Sequence, residues 1–215
     1  MKNIIIIGAG GFAREVSWLV DDINDAEEKW NLIGFIDENP EVHGKKFNGY
    51  EVLGGLDYLE CNTEIYYVCA IANVRARKEV VKRCDELGFK AATLIHPSVI
   101  LSKKYNEIGM GCIICANSII TVNVKLCKHV IVNLDCTIGH DVIIEDFVTI
   151  YPSVNVSGNC TIGELVELGT GVQVIQGKSI GNNTKIGAGS VVIKDIEAEC
   201  TAVGSPAKVI KRKVV

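Results

Sequence analysis

Residues 135–146 read DCTIGHDVIIED and place His140 directly before an aspartate, Asp141. The chain holds four histidines in 215 residues, so an imidazole beside a carboxylate is a candidate for chemistry. An imidazole can take a proton from a nucleophile, and a neighbouring carboxylate can hold it in the tautomer that leaves one ring nitrogen open. Gly158 follows His140 at an interval of eighteen residues, and Val122 precedes it at the same interval. A glycine presents its N–H without an obstructing side chain, as a donor to a developing oxyanion must. If residues eighteen apart stack, this stretch holds a base, an orienting acid and an oxyanion donor. Those are the parts that acyl transfer from a thioester needs.

The stacking is written into the C-terminal half. Every sixth residue from Ile108 to Val192 is isoleucine, leucine or valine, fifteen positions without an exception. Four places after each, the side chains are mostly small or β-branched: Cys112, Ser118, Val124, Val130, Val142, Val148 and Val154. Cys136 and Cys160 share that column and read as small core residues. Glycine follows the aliphatic residue at 109, 139, 163, 169, 181 and 187, which suggests corners with unusual backbone angles. A six-residue period predicts a parallel β-helix with three short strands per coil, so that residues eighteen apart lie one above the other. Fifteen hexads make five coils. The general crossover rule alone would make them right-handed.

The first 95 residues follow a different rule. NIIIIGAGGFAREVSWLV reads as strand, glycine turn and helix, with Phe12, Val16, Leu19, Val20 and Ile23 as the buried helical face. Gly8, Gly10 and Ala13 fit the G-x-G-x-x-G/A turn, in which phosphate approaches backbone N–H groups at a helix N-terminus. A second strand, NLIGFID, ends on Asp37, placed to accept hydrogen bonds from a ribose or base. EIYYVCAIAN, an amphipathic helix from Arg75 to Leu87 and a short strand, KAATLI, complete an alternating pattern that predicts a parallel sheet. The segment has the length of one mononucleotide half, which suits a nucleotide-bearing substrate better than NAD.

Composition narrows the field. The chain is 48 % hydrophobic and 22 % charged, with a net charge of −4, which argues against a nucleic-acid surface. No apolar run reaches the length of a membrane span, and the first apolar segment runs into glycine rather than into a signal-peptide cleavage site. Nine cysteines without framework spacing point to free thiols in a reducing cytoplasm. Cys112 and Cys115 have metal spacing, but no second pair completes a zinc site. The basic tail KVIKRKVV is long enough only to hold a phosphate.

A glycine-turn nucleotide domain followed by hexapeptide repeats resembles the bacterial nucleotide-sugar acetyltransferases, the group of UDP-4-amino-sugar N-acetyltransferases and sialic acid O-acetyltransferase relatives. GAGGFARE, FIDE, AIANVRARK, LIHPSV, VNLDCTIGHDVIIEDF and AVGSPAK carry the resemblance, which covers nearly the whole chain. It implies an α/β Rossmann-like domain over 1–95, a left-handed parallel β-helix over 96–202 and a basic tail over 203–215. It also implies a homotrimer, with the active site between neighbouring chains, and acetyl-CoA as co-substrate without a metal.

Carried over residue by residue, the resemblance makes His140 the base and Asp141 its orienting acid, beside the Gly158 that the stacking makes the oxyanion donor. The substrate, a nucleotide-linked amino sugar, is expected at Gly10, Gly11, Phe12, Asp37, Glu38, Ala72, Asn73 and Asn133. Acetyl-CoA is expected along Gly158, Thr170, Ala188, Gly204 and Lys208, with Thr149 where some relatives carry a second histidine. His96 reads as structural, His129 as solvated, and His43 as part of an N-terminal loop.

The expected reaction is N-acetylation by direct attack of the sugar amine, since no serine or cysteine beside His140 offers an acyl carrier. O-acetylation by the same constellation is the near alternative, and a non-catalytic β-helix the distant one. A zinc hydrolyase on a β-helix lacks a third histidine in the repeats, and an NAD oxidoreductase lacks the second half of its nucleotide domain.

Overall fold

A computed structural model describes residues 1–60 and 64–212, with Glu60 described by its backbone alone. The chain divides into two compact units, Met1–Pro97 and Ser98–Val215.

In the first unit, β1 (Lys2–Ile7) carries four consecutive buried isoleucines, as expected of a central parallel strand covered on both faces. The helix α1 (Gly11–Ala26) buries Ala13, Val16, Ser17, Leu19, Val20 and Ile23. Phe12, predicted on that face, is half-exposed. Phe12 shares the azimuth of the buried Leu19 and Ile23 and differs from them in standing in the first turn of the helix. β2 (Trp30–Ile36) follows, then the short β3 (Lys46–Phe47), β4 (Tyr50–Glu51) and α2 (Asp57–Glu60). After them come β5 (Tyr66–Cys69), α3 (Val74–Glu86), β6 (Lys90–Ala91) and β7 (Leu94–Ile95). KAATLI thus forms two short strands rather than one.

The sheet order is β2-β1-β5-β6, and every pair in it is parallel. The chain steps from β1 to β2 on one side and then returns to place β5 on the other side of β1. The strand order therefore reverses between β1 and β5, and a crevice opens there beyond their carboxyl ends.

The second unit is a left-handed parallel β-helix. Three walls of two-residue strands stack with a register of eighteen residues, as in Ile114↔Val132, Ile120↔Ile138 and Leu126↔Ile144. The second wall, from Ile100–Leu101 to Val191–Val192, has six strands, one more than the five coils read from the hexads. The extra strand precedes the strict period, because the interval from Leu101 to Ile108 is seven residues. From Ile114 to Val192 the aliphatic column is buried, and so is the small-residue column apart from Lys178; together they fill the prism.

The corners correct the glycine reading. The left-handed backbone recurs every six residues at Asn117, Asn123, His129, Asp135, Asp141, Phe147 and onward to Asn183, with φ between 55° and 61° except at Gly171 and Gly177, which reach 71° and 73°. Gly109, Gly139, Gly163, Gly169, Gly181 and Gly187 stand two places earlier and are absent from the positive-φ positions. They are glycine because the next coil lies on top of them: a Cβ at Gly139 would stand 2.6 Å from the Gly158 nitrogen, and one at Gly181 2.4 Å from the Ala198 nitrogen.

Two more expectations change. His129 is buried rather than solvated, its ring stacked on Phe147 at 5.2 Å and 6°. Its left-handed corner turns it over Gly111, whose missing side chain leaves the room. The basic tail folds back, so that Lys208–Arg212 pairs antiparallel with Cys200–Val203, and Arg212 bonds to Glu197; residues 213–215 lie outside the described residues. Among the described residues no helix is long and apolar enough to cross a membrane. The eight described cysteines are free thiols, while Cys61 lies outside the described residues. Cys112 and Cys115 are buried, and Cys112 donates to the Cys127 carbonyl at 3.0 Å.

Candidate active site

His140 stands on the edge between the second and third walls, after the strand Thr137–Ile138. Its Nδ1 lies 2.8 Å from Asp141 Oδ2. The other carboxylate oxygen, Oδ1, accepts from Asn123 Nδ2, one coil below, at 3.1 Å. The hydrogen bond from His140, and after it the one from Asn123, holds the Asp141 carboxyl below the usual carboxylate range. With an ionised acceptor there, Nδ1 carries the hydrogen and Nε2 keeps its lone pair.

The imidazole lies against Gly158, one coil above. A Cβ on Gly158 would fall 2.5 Å from both Nε2 and Cε1, so only glycine admits the ring in this place. The Gly158 N–H has no acceptor among the described residues. Both His140 and Asp141 are about half exposed, at 49 % and 46 %, so the open nitrogen faces accessible space.

The remaining predicted residues divide. Thr170, Ala188 and the Gly204 turn follow the first wall and lie on the edge between it and the second wall. There Gly189 N–H donates to the Thr170 carbonyl and Val191 N–H to the Gly204 carbonyl. Thr170 is exposed, and so is Lys208 in the closing hairpin. Asn133 shares this edge rather than that of His140. It is buried, its Oδ1 accepting from the Leu134 N–H at 2.7 Å, so the structure does not bring it to the base. Thr149 is buried inside strand Thr149–Ile150 and presents no side chain to either edge. The third edge holds a cleft of about 790 Å³ with Glu145, Asp146, Glu164, Asp195 and Glu197 in its lining. Carboxylates in that number repel the phosphates of coenzyme A.

In the first unit, Ile7, Gly8, Ile36, Asp37, Glu38, Leu56, Ile71 and Val80 line a mostly apolar cavity of about 230 Å³. It lies at the carboxyl ends of β1, β2 and β5, where the strand order reverses. Gly8, at φ 104°, is the glycine of the turn that needs a left-handed backbone. Gly10 and Gly11 do not, and a Cβ on either would meet nothing within 4 Å. The chain leaves that space open above the first turn of α1, whose N–H groups have no intrahelical acceptor.

Asp37 does a different task from the one expected of it. Its Oδ2 accepts from the Ala9 N–H and its Oδ1 from the Asn39 N–H, both at 2.9 Å, so it braces the glycine turn against the turn after β2. Glu38 accepts from Leu56 N–H at 3.1 Å and faces Arg83 at 3.6 Å. Asn73 caps α3, its side chain accepting from the Ala76 N–H at 3.0 Å. Ala72 precedes it in the same turn. His96 bonds to Asp22 at 2.9 Å, a structural pairing. His43 bonds to the Asp37 carbonyl at 2.7 Å. One residue that sequence reasoning passed over is Arg77, buried behind the Ile71–Ala72 turn. Its helical spacing looked like that of any surface arginine.

Comparisons with known proteins bear on both units. The family described as the PglD N-terminal domain matches residues 3–84. The acetyltransferase domain of PglB from Neisseria gonorrhoeae FA1090, solved with acetyl coenzyme A, is 30 % identical with a TM-score of 0.88. That match covers 97 % of this chain and 99 % of the other. PerB from Caulobacter crescentus, solved with CoA and GDP-perosamine, is 26 % identical with a TM-score of 0.88, and 98 % of each chain is covered. A curated relative, a serine acetyltransferase of Synechococcus elongatus, is 48 % identical over 48 residues. Those residues are 22 % of this chain, and the match spans 20 % of that relative's length.

Proposed function

The chain belongs to the hexapeptide-repeat, left-handed β-helix acetyltransferases of nucleotide sugars, and from that membership we propose that it transfers the acetyl group of acetyl-CoA to the amine of a nucleotide-linked amino sugar. The observation that carries this reading is the triad of His140, Asp141 and Gly158: an oriented imidazole with Nε2 open, against a glycine whose N–H is unused.

In this mechanism the neutral sugar amine attacks the thioester carbonyl. Nε2 of His140 takes the proton that the nitrogen sheds as the tetrahedral centre forms, and the Gly158 N–H donates to the oxyanion. Asp141 steadies the imidazolium through Nδ1. Collapse breaks the carbon–sulfur bond, and the proton held by His140 goes to the departing thiolate. The products are the acetamido sugar and free coenzyme A.

The nucleotide belongs in the first unit. Its base suits the apolar cavity beside Glu38, and its diphosphate suits the α1 N-terminus at Gly10, Gly11 and Phe12. Apart from Gly158, the residues expected to hold acetyl-CoA stand on an edge different from that of His140, so we place the reaction in a homotrimer. There the His140–Gly158 edge of one copy faces the Thr170–Ala188 edge of a neighbour. Buried free thiols suit a reducing cytoplasm as its compartment.

Assay of UDP-, dTDP- and GDP-linked amino sugars with acetyl-CoA, alongside their hydroxy-sugar counterparts, tests the reading. Release of coenzyme A with an amino sugar alone supports N-acetylation. Turnover of hydroxy sugars only transfers the same machinery to O-acetylation, and no turnover with any of them overturns the proposal. Sedimentation as a monomer at micromolar concentration overturns the shared site.

A further inference from the structure

Asn123 and Asp141 are corner residues of successive coils on the edge that holds His140, both in the left-handed conformation at φ 57° and 58°. Asn123 Nδ2 donates to Asp141 Oδ1 at 3.1 Å, while His140 Nδ1 donates to Oδ2 at 2.8 Å. An aspartate carboxylate turns easily about its Cβ–Cγ bond, a broad torsion without sharp minima. One hydrogen bond leaves it that freedom. A partner on each oxygen removes it.

The bond from Asn123 is not a by-product of the stacking. The edge between the first and second walls repeats the arrangement, with Asn117 and Asp135 as corner residues of successive coils at φ 61° and 57°. Among the described residues no hydrogen bond joins these two side chains. Leu134 stands before Asp135 in place of a histidine, and the Asp135 carboxylate accepts from Ser153 Oγ, one coil above, at 3.4 Å. The same two residue types, at the same spacing and on the same backbone, are joined where a histidine holds the other carboxylate oxygen. Without the histidine they are not.

Asparagine combines two tasks at position 123. Its backbone tolerates the left-handed corner, and its carboxamide donates to the coil above. Gly171 and Gly177 perform the first task alone, at φ 71° and 73°. Substitution can therefore separate the two.

We propose that Asn123 is a positioning residue for the transfer reaction: its carboxamide fixes the plane of the Asp141 carboxylate and so keeps the His140 imidazole with Nδ1 protonated and Nε2 open. The role rests on the reading of His140 as the base. Asn123 acts through Asp141, to which it is bonded, and not on the imidazole itself.

Asn123→Gly keeps the corner and deletes the carboxamide. A hydrogen bond to an exposed carboxylate is worth a small factor, so kcat should fall roughly three- to tenfold. The KM of both substrates should stay within about twofold, as expected of a group that acts on the base. Asn117→Gly, at the corner without such a bond, should keep wild-type kcat and a similar Tm. In Asp141→Gly, adding Asn123→Gly should cost nothing further, because the two residues act as one unit. Nitrogen NMR of the labelled imidazole reads the same event without substrate: His140 Nδ1 should carry the proton in the neutral wild-type ring, and Asn123→Gly should weaken that preference.

A merely structural Asn123 would lower Tm and leave the tautomer as it was. Wild-type kcat in Asn123→Gly, an unchanged tautomer, or equal losses in Asn117→Gly and Asn123→Gly overturn the role. So does an undiminished further loss in the Asp141→Gly background. Wild-type protein that acetylates no amino sugar overturns the reading of His140 as the base, an outcome distinct from the others because the tautomer is read in the free protein.

Discussion

Asp141 adopts the left-handed corner conformation, φ 58°, and this brings its carboxylate to 2.8 Å from Nδ1 of the preceding residue, His140. Side chains adjacent in sequence point to opposite faces of an extended strand; the corner removes that separation. Asn123 occupies the corresponding corner one coil below and fixes the second carboxylate oxygen at 3.1 Å. The coil stacking thus orients the carboxylate, the carboxylate selects the tautomer, and the tautomer leaves Nε2 for chemistry beside Gly158.

His140→Ala should lower kcat by roughly 10²–10⁴, the usual worth of a general base. The KM of each substrate should change little, since the base acts in the transition state. Near wild-type kcat in this variant would return His140 to the role of bystander.

Asp141 bears on the pH profile. Its carboxyl is held below the usual range, first by the bond from His140 and then by Asn123. A depressed carboxyl is ionised throughout its ordinary range, and whatever it contributes is lost only as pH falls through the lowered value, beneath that range. The Asp141 carboxyl therefore contributes no step of its own to the profile of kcat/KM between about pH 5 and 8. Asp141→Asn should lower kcat by less than His140→Ala does, since the orienting group does not take the substrate proton. A larger loss in Asp141→Asn than in His140→Ala would contradict this division.

Gly158→Ala places a carbon 2.5 Å from His140 Nε2 and Cε1, and the far end of an exposed side chain is what gives way. The imidazole should swing aside, with kcat falling by at least an order of magnitude and the Tm nearly unchanged. A fully active Gly158→Ala enzyme would show that the ring need not lie against this glycine.

Gly11→Ala separates ligand space from protein space in the opposite sense. The position is helical, and nothing lies within 4 Å of the added Cβ. Alanine should therefore stabilise α1 by up to about 1 kcal/mol and raise the Tm. The methyl group projects into the space assigned to the nucleotide, so the nucleotide Kd should rise. A higher Tm with unchanged nucleotide affinity would free that space for another purpose.

The sequence disclosed what repeats and blurred what depends on neighbours across coils. The aliphatic column from Ile108 to Val192 fixes the eighteen-residue stacking, and with it the pairing of His140 and Gly158. The same column could not say which edge a residue occupies relative to solvent, so Thr149 and Asn133 were expected at ligands and are buried. His129 was misread for a related reason: its cover is a ring eighteen residues away, Phe147, stacked face to face. In the first unit, Asp37 sits where a ribose partner is expected, but two backbone N–H groups already engage its oxygens. Spacing locates a carboxylate; it does not reveal which hydrogen bonds the fold has already given it.

Two glycines of the β-helix should respond oppositely to substitution. Gly181 follows the aliphatic Ile180, and a Cβ there would lie 2.4 Å from the Ala198 nitrogen and 2.7 Å from its Cα. Backbone atoms cannot retreat as a side-chain tip can, so Gly181→Ala should lose about 1–3 kcal/mol, the range of overpacking in a filled interior. Gly171 has φ 71° and nothing within 4 Å of its Cβ position. Asn117, Asn123 and Asn159 already occupy equivalent corners at φ 61°, 57° and 56°. Gly171→Asn should therefore hold stability within about 0.5 kcal/mol of wild type, since asparagine tolerates this backbone and loses less freedom on folding than glycine. Urea midpoints of the two variants check the pair. Equal losses would mean that the glycines share one backbone requirement, and the assignment of close approach to Gly181 and of dihedral to Gly171 would fall.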